Sequence, residues 1–137
     1  MLQAENAAPY LIAKPLGDYK KLNGLLAALQ GYGYAVEVVS WLAKGKTTKQ
    51  FDSAVRKNKR AWLRKYYPAI DLNNVHVVKH GTNKWRVSNY KGGILFDDES
   101  GNVHAWQRDT SSGKAVRIKD ETTLLDALES LIIQELE

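Results

Sequence analysis

The residues of this chain that are best suited to bind a ligand are the lysines and arginines between positions 44 and 65. The segment carries nine basic side chains and one acid, Asp52, a net charge of +8, whereas the whole chain of 137 residues carries +5. The remainder of the chain is therefore net negative. Lysine and arginine make phosphate contacts that do not depend on base sequence, so a helix with this charge is suited to bind nucleic acid.

Six side chains of this segment are expected to contact phosphates, and two further lysines to lie at the margin of the same surface. Aromatic rings lie beside the charge, and Trp62 and Tyr66 could stack on unpaired bases. In the alternative interpretation, Trp62 and Tyr66 belong to the core and the cations form a solvated helix face. The expected phosphate contacts are Lys49, Arg56, Lys57, Lys59, Arg60 and Arg64, and the marginal lysines are Lys46 and Lys84.

The predicted elements around the basic segment have the outline of a helix-turn-helix. Apolar residues at 34–43 follow helical spacing, although the valines among them favour a strand. A turn at 44–46 and a second helix at 47–67 follow, with Thr47 and Gln50 as a capping box. The turn is long and the second helix exceeds a usual recognition helix, so helix–loop–helix packing without nucleic acid is the alternative.

Three histidines are the only side chains whose ordinary pKa lies near neutrality, and they are the candidates for acid–base chemistry. With Lys84, Arg86 and Tyr90, one of them could form a small metal-independent ribonuclease site. No spacing in the sequence requires such a site, and the chain has no cysteine to act as a nucleophile or metal ligand. We therefore expect no catalytic residue, no metal and no cofactor. The histidines are His76, His80 and His104.

Length and hydrophobic pattern predict one α+β domain at 18–137, preceded by an N-terminal arm at 1–17. The helical part, 18–67, contains the N-terminal helices, and Asp18 is suited to cap the first of them. Short β-like runs between turn-forming residues predict an antiparallel β-meander of four to five strands over 74–119. A C-terminal helix at 123–136, capped by Thr123, is expected to pack on the sheet. The expected strands are 75–78, 85–87, 94–96, 103–106 and 115–118.

The C-terminal helix offers a second surface that could bind a partner. From Asp120 to Glu137 there are six acids and no base, and Leu125 and Leu136 widen the apolar stripe. Part of this stripe is expected to pack on the sheet, and the remainder could form a homodimer. The first residues do not match the pattern expected of a secretory signal, and no apolar run approaches the roughly 18 residues of a membrane span. We therefore expect a soluble, cytoplasmic protein without a membrane partner.

These patterns predict a small non-enzymatic accessory protein that binds DNA or RNA through the basic helix at 44–65. The first alternative is a protein-interaction module (an inhibitor, adaptor or assembly component) whose basic face binds an acidic protein. The second alternative is the ribonuclease.

Overall fold

Two pairs of parallel strands, each connected through a helix, organise the protein. The computed structural model describes residues 17–110 and 113–137, and the predicted arm at 1–17 lies outside these residues except for Gly17. The elements in chain order are α1 (Tyr19–Gly31), β1 (Val38–Trp41), α2 (Lys49–Tyr66), a 3-10 turn (Leu72–Asn74), β2 (Val75–Val78), α3 (Lys84–Val87), β3 (Ile94–Asp97), α4 (Ser100–Asp109), β4 (Lys114–Arg117) and α5 (Glu121–Leu136).

Both strand pairs are parallel. β1 pairs with β2, with Val38 opposite Val75, and β3 pairs with β4, with Ile94 opposite Lys114. A parallel pair requires a crossover connection in place of a hairpin, and α2 and α4 provide it. The predicted antiparallel meander is therefore wrong, because the described residues form four short strands in two separate two-stranded sheets.

Two of the expected strands are helical. The segment 85–87 lies in the single-turn helix α3, where the side chain of Asn83 accepts a hydrogen bond from the backbone N–H of Trp85 at 3.0 Å. The segment 103–106 lies in α4, where Val103 and Trp106 are both buried. These two residues are three apart, which places them on one face of a helix. In the sequence, the apolar residues Val103 and Ala105 are two apart, as on one face of a strand, and this pattern obscured the helical spacing.

The predicted helix at 34–43 is also wrong, because Val38–Trp41 is strand β1. Val38 packs beside Val75 in the core, whereas Trp41 lies on the opposite face of the strand and donates its Nε1–H to the Thr82 carbonyl at 2.9 Å. A strand that is covered on both faces is apolar throughout and does not alternate, so its pattern resembles that of a helix. Without a first helix, the helix-turn-helix outline is lost.

The helix ends follow ordinary capping chemistry. Asp18 caps α1, as predicted, and accepts the backbone N–H three residues further on at 3.0 Å. The cap of α2 is Thr48, whose hydroxyl accepts a backbone N–H at 3.0 Å, and not Thr47. The cap of α5 is Asp120, since Thr123 donates its backbone N–H and its hydroxyl to the Asp120 carboxylate, both at 2.8 Å.

α2 packs its apolar side on the first pair of strands. Phe51 and Val55 of the helix are buried with Leu42, which follows β1. The chain turns from β1 towards this helix through Gly45, whose φ of +92° is a backbone conformation that glycine adopts without strain. The core continues into a second cluster around Tyr67. One side of α2 is therefore held in the core while the opposite side faces water.

The helices α1 and α5 pack against each other. Lys21 Nζ lies 2.5 Å from Glu129 Oε1, and the Tyr34 hydroxyl, beyond the end of α1, donates to Glu135 at 2.9 Å. The C-terminal helix thus packs chiefly on another helix, whereas the sequence predicted packing on the sheet. Within residues 17–110 and 113–137, no helix combines the length and apolar character needed to cross a bilayer.

Leu128 and Leu136 lie on the same helix and provide a matched test of its packing. Leu128 is 4% exposed and Leu136 is 70% exposed. Leu128→Ala should lower the free energy of unfolding by about 2–5 kcal/mol, because it removes buried contacts and leaves a cavity. Leu136→Ala should change it by less than about 0.5 kcal/mol. Urea unfolding followed by circular dichroism measures both, and equal effects would contradict the described position of α5.

Candidate functional site

One side of α2 carries a row of cations, which we call the basic ridge. At about 100° of rotation per residue, its five members fall within an arc of about 100° around the helix axis. Four of them are exposed and one is half-buried. The buried residues Phe51 and Val55 lie on the opposite side of the helix. The basic ridge consists of Lys49, Arg56, Lys57, Arg60 and Arg64.

No ion pair between residues of the described part of the chain neutralises the basic ridge. Asp52, the one acid of segment 44–65, accepts a hydrogen bond from the Thr47 hydroxyl at 2.6 Å. The acidic helix α5 packs on α1 and does not pair with the ridge. The basic partners in the ion pairs found among these residues are Lys21, His76, Lys84 and Arg108.

Lys59, one of the six predicted phosphate contacts, and Lys84, one of the two marginal lysines, are engaged inside the protein. The Lys59 ammonium donates to Ser40 Oγ at 2.8 Å and to the Trp41 carbonyl at 2.6 Å. Burial lowers the pKa of Lys59, and the positive charge of nearby Lys84 lowers it further. Lys46, by contrast, is exposed in the loop that leads into α2, three residues before Lys49.

Lys84 forms a buried ion pair with Asp97, the last residue of β3. The two charged atoms lie 2.8 Å apart, and the side chains are 16% and 5% exposed. The ammonium group also lies over the ring of Trp41, 5.4 Å from its centroid. Burial alone would raise the pKa of Asp97, but hydrogen bonds from Lys84 and from the Glu99 backbone hold that pKa below its ordinary value. The charge of Lys84 is therefore balanced by Asp97 within the protein.

The two arginines in the middle of the basic ridge also contact β2. Arg56 donates its Nε–H to the Val77 carbonyl at 3.1 Å, and Arg60 donates from Nη1 to the Val75 carbonyl at 3.2 Å. Arg56 remains exposed and Arg60 half-buried. The sequence pattern does not indicate these contacts, because the partners meet only after the chain has returned from α2 to form β2.

The aromatic rings of the basic segment pack in the core and not beside the ridge. The ring centroid of Trp62 lies 5.4 Å from that of Tyr66 and 5.6 Å from that of Tyr67. Tyr66 also contacts Tyr19 of α1, with 5.2 Å between centroids. These rings stabilise the junction of α1 and α2, which matches the interpretation that Trp62 and Tyr66 are core residues.

A partly buried hydrogen-bond network around Glu37 is absent from the sequence-based predictions. Glu37 Oε2 lies 2.9 Å from His76 Nε2 and accepts the Asn89 backbone N–H at 2.9 Å. The hydroxyl of Ser88, which is 2% exposed, donates to Glu37 Oε1. In a hydrolytic triad the imidazole lies between hydroxyl and carboxylate, whereas here the carboxylate lies between, so His76 is not placed to activate Ser88. A lone acid among the valines at 36–39 is the signal that could have revealed this network, since a buried carboxylate needs partners.

The three histidines have different surroundings. His76 is engaged with Glu37, His80 packs against the ring of Trp41 with 4.7 Å between centroids, and His104 is exposed on α4. Within the part of the chain that the structure describes, no contact joins one histidine to another. Arg86 and Tyr90, the other candidates for the ribonuclease site, are exposed and Lys84 is paired with Asp97.

A cavity of about 360 Å³ lies between β1 and β3. Leucines of α1 and α5, such as Leu26 and Leu128, form much of its wall, and Glu37, Lys84 and Asp97 are among its polar lining residues. These three charged groups already have partners within the protein. A molecule that fits the cavity would therefore be small and largely apolar.

The Lys84–Asp97 pair should make stability depend on acid pH. Because the pKa of Asp97 is lower in the folded protein than its ordinary value of 3.8, its stabilisation is present above that value and is lost as the pH falls through the folded pKa. Asp97→Asn should lower the free energy of unfolding at neutral pH by about 3 kcal/mol, since it leaves Lys84 without a counter-charge. The free energy of unfolding of this variant should also fall less steeply than that of the wild type as the pH is lowered.

Asp98→Asn, at an exposed neighbouring position, is the matched control for Asp97→Asn. Urea unfolding of both variants between neutral pH and about pH 3 measures the difference. If the two variants have the same stability and the same pH dependence, the buried pair does not stabilise the fold.

Comparison of the chain with models of protein families, with curated proteins and with solved structures finds no match. The basic ridge, the internal networks and the cavity are therefore the features from which a function can be proposed.

Proposed function

We propose that this chain is a non-enzymatic, cytoplasmic accessory protein that binds nucleic acid through the basic ridge. The observation that supports this function is the division of α2 into two sides. Apolar residues such as Val55 are buried, and five cations occupy the opposite arc with no carboxylate paired to them among the described residues. A helix side with this charge attracts a polyanion over distance and contacts its phosphates on binding.

The ridge is a row along the helix and not a compact patch. Lys49 and Arg64 lie near the two ends of α2, and the fifteen steps between them correspond to about 22 Å at the α-helical rise. A straight row of cations can follow the phosphates of a nucleic-acid backbone over this length. With Lys46 in the preceding loop, the surface offers six basic side chains.

Phosphate contacts release counterions, so the affinity should fall steeply with salt. Six contacts predict that log affinity falls against log salt with a slope of about −5 for duplex DNA and about −4 for a single strand. Phosphates carry no sequence information, so affinities for unrelated sequences of equal length should be similar.

An acidic protein is the alternative partner for the same ridge. It would form a stoichiometric complex that survives nuclease treatment, whereas a complex bridged by nucleic acid would not. A pull-down performed with and without nuclease distinguishes these two classes of partner.

The end of α5 supports the further proposal of a homodimer. Ile133 is 55% exposed and Leu136 is 70% exposed, and both are large apolar side chains. A dimer that buries them would carry two basic ridges and would bind a long nucleic acid more tightly than one chain does.

Removal of two ridge charges should reduce the salt dependence of binding. The double variant Lys57→Gln, Arg64→Gln removes two exposed cations that have no described bond to β1 or β2. The slope of log affinity against log salt should become shallower by about 2 for duplex DNA. Fluorescence anisotropy with a labelled duplex, titrated at several salt concentrations, measures this slope.

The double variant Lys20→Gln, Lys119→Gln is the control, because both lysines are exposed outside α2 and the net charge changes equally. It should retain the wild-type slope. Equal loss in the two double variants would mean that net charge, and not the ridge, determines binding, and a flat salt response of the wild type would exclude phosphate binding.

A further inference from the structure

Arg56 and Arg60 close the free edge of β2. The Val78 carbonyl accepts a hydrogen bond at 2.7 Å from the backbone that follows β1, so Val78 faces β1 and the carbonyls of Val75 and Val77 face away from it. These two outward carbonyls are the acceptors of Arg60 and Arg56, at 3.2 Å and 3.1 Å.

The spacing of helix and strand explains why two arginines fit this edge. Four residues of an α-helix advance by about 6 Å, and two residues of a β-strand advance by about 6.6 Å. Side chains on successive turns of α2 therefore stay in step with alternate carbonyls of β2. Arg56 and Arg60 are four apart and Val75 and Val77 are two apart, so each guanidinium meets its own carbonyl.

Each of these contacts uses one N–H group of the guanidinium. An arginine side chain has five N–H donors in a planar fork. The described contact with β2 uses Nε in Arg56 and Nη1 in Arg60. The remaining donors can bind the oxygens of a phosphate while the contact with the strand is kept.

We propose that Arg56 and Arg60 form a preorganised site for two neighbouring phosphates of one nucleic-acid strand. This inference rests on the proposed function, and in it the two arginines anchor the nucleic acid within the basic ridge. The strand carbonyls hold both guanidinium groups in place before the ligand arrives, so less side-chain entropy is lost on binding. Lys49 and Lys57 are exposed and flexible and contribute charge without this fixed geometry.

The same contacts also protect an open strand edge, and charged side chains are a common means of such protection. A purely protective role requires the bond to the carbonyl and nothing further. An anchoring role requires in addition that the outer N–H groups meet the phosphates. Replacement of arginine by lysine separates the two roles, because lysine keeps the charge and has only a single ammonium group for both partners.

The test compares Arg56→Lys, Arg60→Lys and the control Arg64→Lys. Arg64 is an exposed member of the ridge for which no strand contact is described. Anisotropy titrations with a short DNA duplex should show about a fivefold loss of affinity for Arg56→Lys and for Arg60→Lys and less than a twofold loss for Arg64→Lys. The salt slope should be unchanged in all three variants, because the number of charges is the same.

A direct readout is the Nε–H signals of the arginines in ¹H–¹⁵N spectra of the wild type. Signals of Arg56 and Arg60 should shift on addition of the duplex, whereas signals of Arg117, which lies on β4, should not. Circular dichroism establishes that each variant is folded under the binding conditions.

Equal affinity losses in the three variants, or Arg56 and Arg60 signals that do not move, would overturn the anchoring role while the basic ridge remains a binding surface. A wild-type protein that binds neither duplex nor single strand would instead overturn the proposed function, and the anchoring role with it.

Discussion

The packing of α2 on the first pair of parallel strands is the constraint on which the rest of the structure depends. Val55 has no exposed surface and Phe51 is only 3% exposed, so these contacts fix the rotation of the helix about its own axis. Parallel strands cannot be joined by a hairpin, and α2 is also the crossover that allows β1 and β2 to pair. The same helix thus connects the two paired strands and presents one fixed side to water.

Once the rotation of α2 is fixed, its basic side chains divide according to their position around the axis. Lys59 lies next to the apolar side and reaches the end of β1. Arg56 and Arg60 reach the edge of β2 and still face solvent. Lys57 and Arg64 project from the exposed arc. The net charge of a segment is therefore an incomplete measure of a binding surface, because acceptors within the fold hold some of the cations.

A second group of charged residues stabilises the interior. A buried charge destabilises a fold unless hydrogen bonds or an opposite charge compensate for its lost hydration. The segment 84–89 supplies this compensation to one carboxylate at each strand pair, Glu37 beside β1 and Asp97 in β3. Lys84 pairs with Asp97 of β3 and covers Trp41 of β1, and Ser88 and the residue after it bind Glu37. These contacts join the two strand pairs, which share no strand-to-strand hydrogen bonds in the described residues.

The sequence by itself determined the features that depend on neighbours along the chain. These include the helix after Asp18 with its cap, the long basic helix, the C-terminal helix and the concentration of charge at 44–65. Only the tertiary structure decided that Val38–Trp41 is a strand, because a strand covered on both faces has no alternation to detect. It also decided that 103–106 is helical, because Val103 and Ala105 alternate as in a strand and only the fold buries Val103 and Trp106 on one helix face. It also decided where each cation points, since the acceptors at Ser40 and Val77 are distant in sequence and meet the helix only after the crossover has formed.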